Sequence, residues 1–437
     1  MALRSFMAGV KLPFRRRSLA STDGKPTAEL SIPFHFRCPI SLDLMQDPVT
    51  LPTGITYDRQ NIEAWLEGGN CTCPVTNQPF AFGAAGDELI PNHAIRRMIQ
   101  DWCVAHRSHG IERIPTPKIP VTRAQIEEVL SEIAASCWRS DEARCLELVK
   151  KVKAWAAESD RNRRSISSNR AASGVLAAAF RRFPTEEILS ALAGISPLNE
   201  EARQHLGSSE SLKSIVFILR NGKISGRLYA ILLVKDLAAE TEQAEELARM
   251  EGLVEAVAAM VKEPISLQAA KASLAAAYYL SSSSWMTAAR LVEMGLVPAV
   301  LEMLVDSEKS LCEKALGMLV EMLRTELGRK RAACHSLTVP VLVKKMFRVS
   351  DTATELAVSA LWKLCRTNGG CGGETGETCA KEAMQFGAFQ KLLLLLQVGC
   401  SESTKEKATE LLRVMKGTNG AEECIESMDL RGIKRQI

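Results

Sequence analysis

The chain of 437 residues is short of several things, and each shortage removes a class of function. From Phe34 to His106 it lacks metal ligands. The Cys and His residues there are Cys38, Cys71, Cys73, Cys103, His35, His93 and His106, whereas two interleaved tetrahedral zinc sites take about eight ligands, arranged largely as CxxC or CxxH pairs. No CxxC pair occurs in the segment, and the single residue between Cys71 and Cys73 is poor geometry for one ion. All of them therefore read as structural or surface groups, with Cys38 and Cys103 as small buried hydrophobes. No metal or other cofactor is expected. The chain also lacks a long apolar run. Its best stretch, LVEMGLVPAVLEMLV, is broken by Glu293 and Glu302, and a spanning helix takes about 20 mostly apolar residues. A net charge of +4 on this length is too small to point to nucleic acid. None of the 13 cysteines sits in a recognisable Cys/His arrangement with a positioning Asn or Asp, which argues against a covalent nucleophile. Their odd number, without a secretory signal, suits free thiols in a reducing compartment, cytoplasmic or also nuclear.

Without an ion to hold its loops, the segment needs hydrogen bonds and ion pairs for the same task, because buried backbone groups in irregular chain must find partners. Asp43, Asp47, Asp58, Arg59, Thr76 and Asn92 stand beside apolar anchors and are the candidates. Val49, Thr50, Ile55, Thr56 and Tyr57 flank Pro52-Thr53-Gly54, which predicts a short β-hairpin. Asp58 then reads as the N-cap of a helix, RQNIEAWLE, that Gly68-Gly69 ends. A second helix starts at Asn92, with Ile95, Met98, Ile99 and Trp102 spaced to share one face. The product is a small α+β domain over 31–107.

CPISLDLMQDPVT, GITYDR, WL, CPVTNQP and IPN occur in that order, and on these motifs the segment resembles a U-box. The resemblance implies a zinc-free, RING-like fold that recruits a ubiquitin-conjugating enzyme (E2) charged with ubiquitin, using two loops and the groove beside the central helix. On that resemblance Ile40 and Leu42 of the first loop present apolar contacts, Pro74 of the second completes the groove, and Trp65 lines its floor. Cys38, Asp47, Pro48, Tyr57, Asp58, Arg59 and Asn92 fall on the motif positions that shape the domain. Many related domains carry a basic residue just after the CPxT motif. This chain has Asn77 there, which supplies hydrogen bonds but no charge. The implied activity is that of a RING-type (U-box) E3 ubiquitin transferase with no covalent enzyme intermediate. It holds the thioester in an attack-ready geometry near a substrate lysine, so that rate comes from proximity and orientation.

Beyond His106, IERIPTPKIPVT reads as a stiff extended linker over 108–123, since Pro115, Pro117 and Pro120 fix φ and disfavour helix. From 124 to 420 the pattern is helical. MEGLVEAVAAMV, EMGLVPAVLEML, SLTVPVLVKKMF and FGAFQKLLLLL align with Gly252, Gly295, Leu337 and Gly387 in register, in steps of 43, 42 and 50 residues. Behind each recurs an Ala with a Leu four residues on: Ala270 and Leu274, Ala315 and Leu319, Ala357 and Leu361, Ala408 and Leu412. A period of about 40 to 47 residues with two or three helices per unit is the armadillo/HEAT signature, so an all-α repeat superhelix is expected. SGRLYAILLVKDLA and NRAASGVLAAAFRRF look like earlier, degenerate units, giving five or six repeats. The long last step is assigned to NGGCGGETGETC, from Asn368 to Cys379, read as a Gly-rich loop with two free thiols, Cys371 and Cys379. RNRRSISSNR, from Arg161 to Arg170, reads as a basic inter-helix loop whose Ser165 could accept phosphate. Arg4, Lys11, Arg15, Arg16 and Arg17 lie in a basic, disordered tail over 1–30, and 421–437 reads as a second tail.

The order of tail, U-box, proline linker and armadillo repeats resembles the plant U-box/armadillo ubiquitin ligases. The resemblance implies an E3 ligase that bridges a charged E2 and a protein substrate or regulator captured by the repeats. A non-catalytic adaptor or scaffold with an inactive U-box is the alternative. A nuclear-import-type receptor would need ladders of Trp and Asn, and only Trp285 and Trp362 lie in the repeats.

Overall fold

The structure, a computed structural model, describes residues 32–79, 89–116, 120–195, 198–366 and 373–418. The predicted N- and C-terminal tails and Cys371 lie outside the described residues. The chain divides into two compact units, one ending at Ile119 and one starting at Pro120.

In the first unit the hairpin forms where Thr53-Gly54 reverse the chain. β1 (Pro48–Thr50) pairs antiparallel with β2 (Thr56–Asp58), Val49 opposite Tyr57. Gly54 takes φ 82, a conformation that glycine adopts without a Cβ penalty. A third strand that spacing does not reveal, β3 (Ile90–Pro91), joins the other edge of β1, giving the order β2-β1-β3. Two residues show no alternation, and proline is tolerated because β3 is an edge. α1 (Arg59–Glu67) follows β2 and stops at Gly68. α2 (His93–Ala105) starts at Asn92, whose Oδ1 accepts from the Ile95 amide at 3.0 Å. The core of this unit centres on Met45, Val49, Tyr57, Ile62, Ile99 and Cys103.

Two expectations for this unit need correction. Met98 is exposed, and the covered face of α2 is Ile95, Arg96, Ile99, Gln100, Trp102 and Cys103. Arg96 and Gln100 go inside because both find partners there, Arg96 on Asp47 and Gln100 Nε2 on the Ile114 carbonyl at 3.1 Å. The second correction follows from that bond. Ile114 is buried in this core, so the first half of the stretch read as an extended linker stays free of helix but packs on the first unit.

The second unit opens with a helical hairpin, α3 (Arg123–Arg139) and α4 (Glu142–Glu158), whose start is closed by a capping box between Thr122 and Gln125. Six three-helix repeats follow. They are α5 (Asp160–Ser167), α6 (Ala172–Arg182) and α7 (Glu186–Gly194), then α8 (Glu200–Gly207), α9 (Ser209–Asn221) and α10 (Ile224–Ala238). Next come α11 (Thr241–Arg249), α12 (Leu253–Lys262) and α13 (Leu267–Ser283), then α14 (Trp285–Glu293), α15 (Leu296–Asp306) and α16 (Lys309–Met322). The last two are α17 (Glu326–Ala333), α18 (Thr338–Lys345) and α19 (Asp351–Cys365), and α20 (Gly373–Gln385), α21 (Ala388–Val398) and α22 (Glu402–Thr418).

Glycine sets the period. Gly252, Gly295 and Gly387 each precede the second helix of a repeat at φ 81, 80 and 81, where the chain turns out of the first helix; Leu337 holds the same place at φ −85. The recurrent Ala and Leu lie on the third helices, and all are buried. Those helices stack in order from α4 through α7, α10, α13, α16 and α19 to α22. Small Ala lets neighbouring axes approach, and Leu fills the remaining space to interior density.

Four basic residues of the repeats close helix ends. The last carbonyls of a helix have no partner within it. Arg331 of α17 donates to the Val292 carbonyl of α14 at 2.6 Å, Lys345 of α18 to Val305 of α15 at 3.3 Å, Lys363 of α19 to Val320 of α16 at 2.8 Å, and Lys391 of α21 to Val343 of α18 at 2.6 Å. Each cap crosses from one repeat to its predecessor. Burial, aided by the charges of Arg324, Lys407 and Arg329 against the opposing Glu321, pulls the Lys363 ammonium down to about 8. Replacing the buried Lys345 by Met leaves the Val305 carbonyl open and should destabilise the repeats by about 1–2 kcal/mol. Chemical denaturation followed by far-UV dichroism measures this, and an unmoved midpoint would refute the capping role.

Two segments differ from expectation. Asp160–Ser167 is helix α5 rather than a loop, because Asn162 and Ile166 are buried and Asn162 Oδ1 accepts the Val121 amide at 3.0 Å. Gly373–Cys379 opens α20, which packs on α18, α19 and α22; tertiary docking overrides the glycine-rich composition, and residues 367–372 lie outside the described set. Cys379 is a buried free thiol. No helix among the described residues is long and apolar enough to cross a membrane.

Candidate functional site

Cys-Pro occurs twice in the first unit, and the chain folds the same way after each. In the first loop the Cys38 amide donates to Asp43 O and the Leu42 amide to Cys38 O, both at 2.8 Å, and a bridge between Arg37 and Leu44 closes the base. In the second, the Cys73 amide donates to Gln78 O at 2.9 Å and the Asn77 amide to Cys73 O at 2.8 Å, with a bridge between Thr72 and Pro79. The fifth residue of each loop is left-handed, Leu42 at φ 62 and Asn77 at φ 55. Asparagine is among the few residues that accept this conformation readily, which gives Asn77 a backbone reason to be there. A leucine held in it is strained and persists only where its surroundings impose it.

A sulfur sits at the hub of each loop. Cys38 Sγ accepts from the Asp58 amide and from Asn61 Nδ2, both at 3.3 Å. Cys73 Sγ accepts from Thr53 Oγ1 at 3.4 Å and lies 3.0 Å from the Tyr57 hydroxyl, whose oxygen takes the Val75 amide at 3.3 Å. Both cysteines are buried, as is Cys103, but describing Cys38 as a small hydrophobe is incomplete: it is a hydrogen-bond acceptor that organises its loop. No group of three or more His, Cys, Asp or Glu that could hold a metal ion is found among the described residues.

Burial raises the Cys73 thiol, but the hydroxyls of Thr53, Thr76 and Tyr57 outweigh it and hold the group at about 6. Burial and the same sulfur push the Tyr57 phenol well above its ordinary range. A thiol depressed on folding contributes stability that is fully present above its ordinary value of 9 and is lost as pH falls through about 6. Hydrogen exchange of peptides spanning 48–79 in the full chain should therefore slow as pH rises through that window, after correction for intrinsic exchange. In Cys73→Ser, whose hydroxyl does not titrate, the dependence should flatten; an identical dependence would show that Cys73 stays a thiol.

An ionic frame holds the loops to the helices. Asp47 takes Arg59 Nε on one carboxylate oxygen at 2.7 Å and Arg96 on the other, joining α1 and α2 to the chain before β1. Asp58 occupies the N-cap position of α1 but makes no side-chain bond to the helix. Its Oδ1 accepts the Gln46 and Asp47 amides, both at 2.8 Å, so the expected cap is in fact a loop tie. Burial pushes the Asp58 carboxyl up while those amides hold it down. Asn92 Nδ2 reaches Thr50 Oγ1 at 3.1 Å and Thr56 Oγ1 at 3.4 Å, tying α2 to the hairpin, and Pro48 is buried beside them in β1. Asp43 and Thr76, also candidates for this frame, are exposed.

Both loops hang from α1. Asn61 Nδ2 donates to Ser41 Oγ at 2.9 Å in the first loop, and Trp65 Nε1 donates to Thr72 O at 2.9 Å at the base of the second. These two residues are four apart and share one face of the helix. Ile40 is 36% exposed, Leu42 66% and Val75 53%, with Pro74 half-buried and Asn77 exposed. Trp65 is half-buried against the core and anchors the second loop. Asn61, Val75 and Arg96 were missed from sequence. The doubled Cys-Pro was the signal available for Val75, the counterpart of Ile40.

Residues 32–108 match the family model described as U-box domain, and residues 125–435 match the one described as Plant U-box protein ARM repeat region. The chain belongs to the plant U-box/armadillo-repeat family. U-box domain-containing protein 21 of Arabidopsis thaliana is 39% identical over 91% of this chain and 91% of its own. E3 ubiquitin-protein ligase PUB23 of the same plant is 32% identical over 88% of this chain and 93% of its own. Among solved structures, the designed armadillo repeat protein YIII(Dq)4CqI matches 55% of this chain and 99% of its own at 18% identity, with a TM-score of 0.45. The U-box is thus the first unit, with its paired loops, and the armadillo superhelix is the second.

Proposed function

We propose that this U-box/armadillo protein is an E3 ubiquitin ligase that binds a ubiquitin-charged E2 through its two Cys-Pro loops and promotes transfer to proteins held by its repeats. The observation that carries the reading is the pair of matched loops fixed to one face of α1 by Asn61 and Trp65, leaving Ile40, Leu42 and Val75 open to solvent. A small apolar patch of this kind suits a partner that must bind weakly and leave after each transfer. Asn77, on the second loop, offers an amide to the bound carrier but no charge. No nucleophile of this chain enters the reaction. The U-box restrains the thioester, the armadillo repeats raise the local concentration of the acceptor lysine, and proximity supplies the rate.

Asn77 in place of a basic residue is the feature that favours the adaptor alternative; its left-handed backbone supplies a conformational reason for the asparagine and so weakens that support. Reconstitution of the full chain with purified activating and conjugating enzymes tests the proposal. Ubiquitin chains on the protein itself are the expected product; their absence across a panel of E2 enzymes, with the U-box folded, would establish the adaptor reading instead.

A further inference from the structure

The first hairpin of the repeat unit contains two thiols in contact. Cys137, in the last turn of α3, and Cys145, in the first turn of α4, face each other across the turn at Ser140-Asp141, their sulfurs 4.0 Å apart. Both are free. Cys145 is fully buried and Cys137 only partly so, which leaves the sulfur of Cys137 the one open to a small reagent. Arg182 of α6 lies over the same turn, where it donates to Ser140 Oγ. The hydrogen bond from Cys145 lowers Cys137 against the cost of its burial, Arg182 lowers it further, and the thiol comes to about 7. The same bond, burial and the acids Asp141 and Glu142 push Cys145 up. When this pair loses a proton, Cys137 is the thiol that gives it up and Cys145 the one that keeps its own.

We propose that Cys137 and Cys145 are an oxidation site, a dithiol that a peroxide converts to an intramolecular disulfide. The Cys137 thiolate attacks one peroxide oxygen and the O–O bond breaks. The other oxygen takes a proton and leaves as water or an alcohol, and Cys137 is left as a sulfenic acid. The Cys145 sulfur then attacks that of Cys137, the S–O bond breaks, and the hydroxide leaves as water with the proton from Cys145. Two thiols lose two electrons in all, and the peroxide gains them. Forming the bond brings the sulfurs from 4.0 Å to about 2.05 Å, across a turn of the chain that links α3 directly to α4. Cys365 and Cys379, which burial pushes up to about 12 and 11, have no such access and stay reduced. Because α3 packs on α6 and α4 on α7, the new bond fastens the head of the helix stack.

Mass spectrometry of the full chain after hydrogen peroxide at neutral pH, then unfolding in denaturant, alkylation and trypsin, reads the outcome directly. Cleavage after Arg139 and Arg144 separates the two cysteines into peptides 124–139 and 145–150. The expected product is these two peptides joined and lighter by two hydrogens, formed about tenfold faster than oxidation of the exposed Cys71 and Cys334. Cys145→Ser should stop at the sulfenic acid, trapped on Cys137 by dimedone, and Cys137→Ser should leave Cys145 alkylated. The proposal is overturned if Cys137 reacts no faster than Cys71 and Cys334, if it joins a different cysteine, or if Cys145 stays open to alkylation throughout.

Discussion

Ile40→Ala should reduce chain formation by at least about tenfold while leaving the melting profile of the protein nearly unchanged. The reason lies in where this side chain stands. It is 36% exposed on the first Cys-Pro loop, and the hydrogen bonds that shape the loop come from Cys38, Leu42, Asp43 and Asn61 rather than from Ile40 itself. Truncation therefore costs the fold about 0.5 kcal/mol. At the centre of a small interface the same truncation costs about 2 kcal/mol of binding, or about thirtyfold in affinity. Single-turnover discharge of an E2 thioester to free lysine, measured beside a melting curve, separates the two effects. Full activity in Ile40→Ala would place the E2 on another face. Trp65→Ala is a poorer probe, because it also removes the Thr72 anchor and part of the core.

Asp47→Asn should have the largest effect on the U-box fold. The carboxylate is shared by Arg59 and by Arg96, whose side chain is only 8% exposed. Neutralising it strands a buried guanidinium, at a cost of about 3 kcal/mol, or more than about 10 °C in the melting of a domain this small. Hydrogen exchange on the full chain should show the loss of protection confined to the U-box, with the repeats unaffected. Ligase activity should fall with it and return at low temperature, unlike that of Ile40→Ala. A stable Asp47→Asn U-box would mean that other contacts hold α1 and α2 together.

The armadillo period was legible because it rests on backbone conformation. Gly252, Gly295 and Gly387 recur where the chain must turn with positive φ, and spacing alone exposes them. The hairpin was legible for the same reason at Gly54. What stayed hidden were partnerships, because a sequence shows a charge but not what faces it. Arg96 carried no signal in the sequence and is the second partner of Asp47; Asp58 looked like a cap and instead holds the chain before β1. Cys38 read as a small buried hydrophobe, yet burial alone does not say that a sulfur accepts two donors. In α5 and α20, composition pointed to loops, and packing against neighbouring helices decided otherwise.

The lysines and arginine that reach back across the repeats have a bearing on how partner mapping should be read. Ending the chain after α19 removes Lys391, and with it the donor that seals the Val343 and Met346 carbonyls. The repeat left at the new end would fray although none of its own residues had been touched. A truncation that abolishes capture of a protein would then report damage one repeat upstream of the cut, and point substitutions on an intact array give the truer map.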